Sequence, residues 1–416
     1  MIYLDNAATT AMRPEVMNVG KAVERIYGNA GTMYRAGQMA REVIEDARER
    51  IARHIGVGKG EAKGSVFFTS GATEGNNWCI RGTIEGWWRK PHPAASAATF
   101  PKGEGTDLIR PFGAPSPEGK AILPRIVTDL GEHHSVLNPV KALEERGLCR
   151  ATWIGLNRKS GAVDTEELLA DLDEDTALVS VMLVNNETGV RNPVEEIGEG
   201  IRKYNEAHGC HVLFHLDATQ AVGKMEVDVK KIGCHMLTAS GHKFHAGKGR
   251  GFVYIDPGAN VANLMHGGGQ QMGRRPGTED TVAAACLAEA LDYEWDSCKD
   301  GRLGYLTTRA LIGLCMIDGA HFNGVMNARS GIISAWFKGV ESEALLALLE
   351  KHGVICSAGS ACTTGEPEPS HVLVAMGAEE GALRGTIRIS IGAMNTLKDV
   401  EKAVEVIAES VRLLRE

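Results

Sequence analysis

The sequence predicts an α/β protein in which a large domain built on a mostly parallel sheet is followed by a smaller α+β domain. Three observations carry this. Between residues 65 and 255 short apolar runs alternate with amphipathic stretches of helical period, the pattern of repeated strand–helix–strand units. The run ALVSVMLV at residues 177–184 is apolar almost without a break, as a central parallel strand covered on both faces must be. After residue 264 the glycine-rich MHGGGQQMGRRPGTED ends the alternation, and the chain beyond it mixes helices with strand-like runs such as GIISAWF and GTIRISIG. The expected division is an N-terminal arm over 1–14 that packs with the small domain, a large domain over 15–264 with an insertion at about 85–124, and a small domain over 265–416.

Taken in order, YLDNAATT at residues 3–10 is too short and too polar to stand alone, and reads as an extended arm against a larger body. Val43, Ile44, Ala47, Ile51 and Ile55 recur at helical spacing and predict an amphipathic helix over residues 34–55, closed by Gly56. SVFFT at residues 65–69 reads as a strand, and SGATEGNN leads it into a helix through Ile84. Backbone N–H groups at that helix start, with the Thr73 hydroxyl, suit a phosphate. Residues 85–124 are rich in Pro, Gly and Ala with no sustained period. They read as a surface insertion that Trp87 and Trp88 dock on the body or on a partner.

RIVTDL is a strand that ends at Glu132-His133-His134-Ser135, ahead of a helix through Glu145. A histidine just past a strand end can reach over a pocket floor and stack on an aromatic ring. The 177–184 strand delivers Asn185 and Asn186, a helix over 194–207 follows, and VLFHL ends on Asp217 with Gln220 three residues on. An aspartate closing an apolar strand is costly unless paired, so Asp217 is read as holding a cation or a protonated ring nitrogen. Lys243 lies in a polar turn between the strand-like HMLTAS and GRGFVYI. Desolvation there, with His242, His245 and Lys248 as cationic neighbours, lowers its pKa toward the free amine that Schiff-base chemistry needs. Open α/β sheets bind ligands at the C-terminal edge of their strands, and all these groups converge on one crevice there. In the second glycine-rich stretch, Arg274, Arg275 and Thr278 are read as anion ligands, in their own chain or in a partner.

Composition excludes several classes. The 416 residues are 43% hydrophobic, enough for a large core, and the net charge of -8, with both signs interspersed and no basic run, argues against nucleic acid. The start of the chain lacks a basic, then apolar leader, and no apolar stretch approaches the roughly 20 residues of a membrane span, so the expectation is a cytoplasmic protein. Nine cysteines without a CxxC pair signal neither a disulfide framework nor structural zinc. Cys79, Cys210, Cys286 and Cys315 read as small buried hydrophobes. No metal is expected at His133 and His134 either, because spacing places no third ligand; a metallohydrolase would need His211 and His215 as well.

YLDNAATT, FTSGATEGNN, EHHSVLNP, VNNETG, HLDATQAVGK, SGHKFHAGKG, GGGQQMGRRPGT, SAGSACTTGEPEPSHVLVAMG and RISIG occur in that order over nearly the whole chain. Together they resemble the motifs of pyridoxal-phosphate cysteine desulfurases of the NifS/IscS kind, within the class V aminotransferase family. The resemblance implies the PLP-dependent transferase (aspartate aminotransferase-like) fold, with pyridoxal 5'-phosphate as cofactor. It implies Lys243 as the Schiff-base lysine, Asp217 as partner of the pyridine nitrogen and His133 stacked on the ring. Gln220 and Asn186 would contact its phenolate side or the substrate. Ala72, Thr73, Ser240 and His242 would bind the phosphate, with Thr278 of the partner subunit completing the site.

Arg388 would grip the carboxylate of L-cysteine as a bidentate fork, for which a guanidinium suits better than an ammonium. Cys362 would be the thiolate that takes the sulfur, leaving alanine and a persulfide. Its loop has the Gly, Ser, Thr and Pro content of a segment that moves between site and acceptor. The resemblance further implies a homodimer and a protein sulfur acceptor such as an iron–sulfur scaffold. Cys356 is expected to pack at a strand end. Two rivals remain: a selenocysteine lyase or other enzyme of this fold in which Cys362 is dispensable, and a non-catalytic assembly scaffold.

Overall fold

The computed structural model describes residues 1–89, 123–358 and 369–416. The chain opens with a short strand, β1 (Ile2–Tyr3), and α1 (Pro14–Val23), whose proline sits in the first turn where a missing N–H costs nothing. α2 (Arg35–His54) buries Ala40, Ile44, Ala47 and Ile51 at the predicted spacing. Then come β2 (Val66–Thr69), α3 (Ala72–Arg89), β3 (Arg125–Asp129), α4 (His134–Glu145), β4 (Arg150–Ile154) and α5 (Thr165–Ala170). β5 (Thr176–Met182), buried at every position, leads to α6 (Val194–His208), β6 (Leu213–Asp217), α7 (Val229–Ile232), β7 (Met236–Ser240) and β8 (Gly251–Ile255).

These strands form one seven-stranded sheet in the order β2-β8-β7-β6-β5-β3-β4. Every pairing is parallel except those of β8, which runs against both of its neighbours. Strand alternation feeds two cores. Val179, Val181, Phe214 and Leu216 face one with α2 and α6, while Leu178 and Leu213 face the other with α3 and α4. With helices on both faces, only the strand ends are open to polar chemistry.

α8 (Thr281–Lys299) is capped by Asp280, and α9 (Arg302–Cys315) precedes the second sheet. Its strands are β9 (Ala320–Phe322) and β10 (Ile332–Phe337), then, past α10 (Ser342–Lys351) and a short β11 (Val354–Ile355), β12 (Ser357–Ala358). After α11 (His371–Ala375) and α12 (Glu380–Gly385), β13 (Ile387–Ser390) completes an antiparallel sheet of order β12-β13-β10-β9. α13 (Leu397–Arg415) starts in a reciprocal Thr396–Asp399 cap and buries Val400, Ala403, Ile407 and Val411 against this sheet. The arm joins this body: β1 pairs with β11, and Leu4 enters its core.

Several readings change. α3 continues to Arg89 instead of ending at Ile84, and Trp87 and Trp88 pack on the core beneath it, with the Trp88 indole N–H donating to the Leu148 carbonyl at 3.3 Å. An insertion therefore starts no earlier than residue 90, and residues 90–122 lie outside those described. Beyond residue 264, α8 lies on α1 and α2 and puts Cys286 and Leu287 into the large sheet's core. Cys79 and Cys286 are buried as expected, whereas Cys210 is only partly buried and Cys315 is exposed. GVICSAG splits into β11 and β12, which join different sheets. Among the described residues no helix is long and apolar enough to cross a membrane, and no three His, Cys, Asp or Glu side chains are arranged to hold a metal.

Candidate active site

At the C-terminal edge of the large sheet, Asp217 ends β6 with 6% of its surface exposed. Neutral donors hold its oxygens: the Asn76 amide at 2.8 Å and the Thr219 N–H at 2.9 Å. A buried carboxylate met only by neutral groups suits a cationic ligand, since a positive charge repays the desolvation that amides cannot. Nearby, burial pushes the carboxyl groups of Asp129 and Glu132 up, Glu132 well above its ordinary range with Asp129 and Asp217 adding repulsion. The crevice thus resists a second negative charge beside Asp217. His133 caps α4, its Nδ1 accepting from the Ser135 N–H at 3.1 Å, and desolvation pulls its pKa below the usual histidine value despite Asp217.

Lys243 closes a single helical turn over Gly241–Lys243 that follows β7. Its Nζ donates to the carbonyls of Ala7 and Ala8 at 2.6 and 2.8 Å, so the arm supplies one wall of the site. Its pKa is lowered to about 8, first by burial and then by Arg388. The sequence reading credited His242, His245 and Lys248 with this effect. Burial instead brings His242 and His245 to about 4, so both are neutral at physiological pH, and Arg388 is the cation responsible. His245 adopts φ 64°, unusual for a side chain of this size, while its N–H reaches Thr10 Oγ1 at 2.8 Å and its Nδ1 the Ala11 carbonyl at 2.7 Å. The arm and the Lys243 turn are therefore latched together.

The start of α3 lies against β7 and β8. A Cβ on Gly71 would come within 3.2 Å of Ser240 Oγ, and one on Gly251 within 2.6 Å of Gly71 Cα. Glycine here allows the approach that sets Ala72, Thr73 and the Ser240 hydroxyl around one spot, and N–H groups of a first helical turn lack intrahelical acceptors. His242 follows Ser240 in the turn, its Nδ1 3.3 Å from Thr9 Oγ1. Arg275, read from the sequence as an anion ligand, meets a carboxylate of its own chain. It forks onto Glu74 at 2.7 and 3.0 Å, while Arg274 donates to the Val261 carbonyl over the Phe67 and Trp78 rings. Thr278 is exposed, and no described side chain hydrogen-bonds to it.

Arg388 projects from β13 and is 6% exposed. Its Nη1 donates to the Asn186 carbonyl and its Nη2 to Asp5 Oδ1, each at 2.9 Å, while its buried Nε has no partner among the described residues. That N–H is a donor left to be matched, and a guanidinium suits a carboxylate. Gln220 donates to the Ala7 carbonyl at 3.0 Å and accepts from Lys224 at 2.7 Å. Cys362 lies outside the described residues, but both flanks of its segment abut the crevice. Ser357 pairs with Arg388 across β12 and β13 and donates to Asp5 at 2.9 Å. On the other side the Ser370 hydroxyl donates to Glu187, and His371 Nε2 donates to the Glu132 carbonyl at 3.0 Å. Cys356 packs against the small sheet's core, where burial pushes its thiol up to about 12, too high for a nucleophile.

The structure brings His133, Asp217, Gln220, Lys243 and Arg388 to one edge, and with them Asn76 and Asp5, which the sequence reading did not single out and which hydrogen-bond to Asp217 and Arg388. His211 and His215, the remaining members of the metal reading, do not join His133: His215 is buried between Ser180 and Thr238, and His211 lines a separate cleft with His235.

The aminotransferase class-V family profile matches residues 2–93 and 123–403. The chain is 35% identical to the cysteine desulfurase IscS of Methanosarcina thermophila, over 100% of this chain and 93% of that protein. It is 36% identical to a cysteine desulfurase of Trichormus azollae, over 100% of this chain and 94% of that protein. Among solved structures, a NifS-like protein superposes with a TM-score of 0.81 at 29% identity, covering 99% of both chains.

Proposed function

We propose, from the premise that this chain belongs to the class-V aminotransferase family and is a pyridoxal-phosphate-dependent cysteine desulfurase, a division of labour among its residues. The observation that carries it is Asp217, a buried anion answered only by neutral donors, which matches the protonated pyridine nitrogen of the cofactor. Lys243 would hold the cofactor's carbonyl carbon, and its pKa, lowered from 10.5 to about 8, supports this because roughly a tenth of the amine is unprotonated at pH 7, far more than an ordinary lysine offers. Ala72, Thr73, Ser240 and His242 would take the phosphate, His133 would stack on the ring, and Gln220 and Asn186 would line its other edge. When bound, pyridoxal phosphate supplies an electron sink that weakens bonds at the α-carbon of the substrate.

Arg388 would orient L-cysteine through its carboxylate, using the unpartnered Nε edge. The thiolate of Cys362 would attack the substrate sulfur: the S–S bond forms, the carbon–sulfur bond breaks with its electron pair retained on the carbon side, and a proton taken up there completes alanine. The reading extends to a homodimer in which Thr278 of the partner subunit completes the phosphate site. It also extends to a cytoplasmic setting in which the persulfide sulfur passes to a protein acceptor such as an iron–sulfur scaffold.

The test is mass spectrometry after incubation with L-cysteine. One added sulfur atom is expected on the peptide holding Cys362, and Cys362→Ala should stop sulfide release while the cofactor's absorbance persists. Undiminished release from that variant would remove Cys362 from the scheme.

A further inference from the structure

We infer that Asn76 is a positioning residue that joins the Asp217 carboxylate and the His133 ring into one hydrogen-bonded unit. This inference rests on the reading that both groups meet the cofactor ring, and deepens it. Asn76 lies on the first turns of α3 and is 0% exposed, so each of its polar atoms needs a partner. Each finds one. Nδ2 donates to Asp217 Oδ2 and to Ser135 Oγ, both at 2.8 Å, and Oδ1 accepts from the Thr238 hydroxyl at 2.5 Å.

The amide cannot be turned over. Reversed, its oxygen would face the Asp217 carboxylate, acceptor against acceptor, and its nitrogen would compete with the Thr238 hydroxyl. Thr238 is steadied from behind by His215, whose Nε2 lies 3.5 Å from Oγ1 and whose Nδ1 meets the Ser180 hydroxyl at 2.8 Å. His215 is itself fully buried and held neutral, its pKa lowered to about 4 by desolvation. A neutral imidazole has one donor and one acceptor; because the Thr238 hydroxyl donates its proton to Asn76, its oxygen can only accept from His215, so the ring proton sits on Nε2 and Nδ1 accepts from the Ser180 hydroxyl. The donors then run in one direction: His215 to Thr238, Thr238 to Asn76, and Asn76 to both Asp217 and Ser135.

The second branch fixes the tautomer of His133. Because Ser135 Oγ accepts from Asn76, its hydroxyl proton is free to go to His133 Nδ1, 2.8 Å away, which also accepts the Ser135 N–H at 3.1 Å. A nitrogen receiving two donors carries no proton, so the neutral ring keeps its proton on Nε2. One buried amide therefore holds an oxygen of the Asp217 carboxylate in place and, through the Ser135 hydroxyl, supports the His133 tautomer whose proton is on Nε2. An asparagine suits this post because it offers two donors and one acceptor without charge. An aspartate would set a second anion against Asp217.

The test uses the full-length protein, stripped of cofactor and titrated with pyridoxal phosphate at a series of pH values, beside steady-state kinetics on the reloaded enzyme. Asn76→Ala should weaken cofactor binding about tenfold and move the acid-side midpoint of binding to higher pH, since the carboxylate loses a donor to its charged form. Ser135→Ala should leave cofactor affinity within about threefold but lower kcat with little change in KM, and adding it to Asn76→Ala should lower kcat no further. Thr238→Val, which keeps side-chain volume, should shift the binding midpoint in the same direction as Asn76→Ala and serves where the alanine variant folds poorly. Wild-type affinity and midpoint in both position-76 and position-238 variants would overturn the inference, as would independent, multiplicative losses in the double variant. Asp217→Asn is the control for the underlying reading: if it too binds cofactor as the wild type does, the ring-nitrogen assignment fails first and the role of Asn76 with it.

Discussion

Asp217 at the end of β6 and Arg388 in β13 are each 6% exposed and face the same crevice from different sheets, yet the chain answers their charges differently. Asp217 meets only an amide and a backbone N–H, whereas Arg388 is paired with the Asp5 carboxylate at 2.9 Å. Left alone, either charge would cost several kcal/mol. The difference teaches which ligand each expects. Asp217 is complete only when a cation arrives, in keeping with a resident cofactor that carries the positive charge. Arg388 has its charge balanced by Asp5 and one buried N–H still unmatched among the described residues, in keeping with a substrate that comes and goes. The arm makes the second arrangement possible, because Asp5 belongs to it, and the same arm gives the Ala7 and Ala8 carbonyls to Lys243.

The comparison breaks hardest at position 217. Asp217→Asn keeps the shape and removes the charge, and should lower kcat/KM by roughly two to four orders of magnitude, the scale of about 3–5 kcal/mol for removing one member of a buried ion pair. Steady-state desulfuration of L-cysteine measures it; a loss below tenfold would mean that Asp217 faces no cation. Asp5→Asn strikes the other side more gently. It leaves a hydrogen bond to Arg388 but no counter-charge, and should change KM for L-cysteine about tenfold with the cofactor absorbance unaltered. An equal fall in kcat with KM unchanged would place Arg388 away from the substrate.

The smallest effect sharpens the link between the two charges. Lys243 has its pKa lowered from 10.5 to about 8, so between those values the folded protein binds fewer protons than the unfolded chain. Its burial therefore costs stability below pH 8, and the cost is relieved as pH rises toward 10.5. In the cofactor-free protein, labelling of Lys243 by an amine-reactive reagent, read by peptide mass spectrometry, should rise about tenfold per pH unit and flatten above about 8. Asp5→Asn should move that midpoint down by a fraction of a unit and Arg388→Ala should move it up, since the carboxylate favours the ammonium and the guanidinium opposes it. An unmoved midpoint in both variants would show that burial alone sets the amine.

Much of this was legible in the chain because the signals are local. The unbroken apolar run of β5 fits a doubly covered strand, and an aspartate ending the apolar run of β6 advertises a buried charge. Trp87 and Trp88 were less legible: the Pro- and Gly-rich residues after them masked the end of a helix whose inner face they complete. Arg275 looked like an anion ligand because its partner Glu74 lies 201 residues away. Asn76 lies within the FTSGATEGNN motif but carries no signal of its contacts, since an amide early in a helix reads the same whether it faces solvent or two buried polar groups.

The sequence by itself determined the alternation of strands and helices, the edge at which polar residues gather and the residue types available there, because hydrophobic period and turn chemistry act over a few residues. Only the tertiary structure decided protonation and pairing. His242 and His245 are neutral, Lys243 is weakened by Arg388, and Arg388 is balanced by a residue at the other end of the chain, because desolvation and Coulomb interaction depend on distances that folding alone creates.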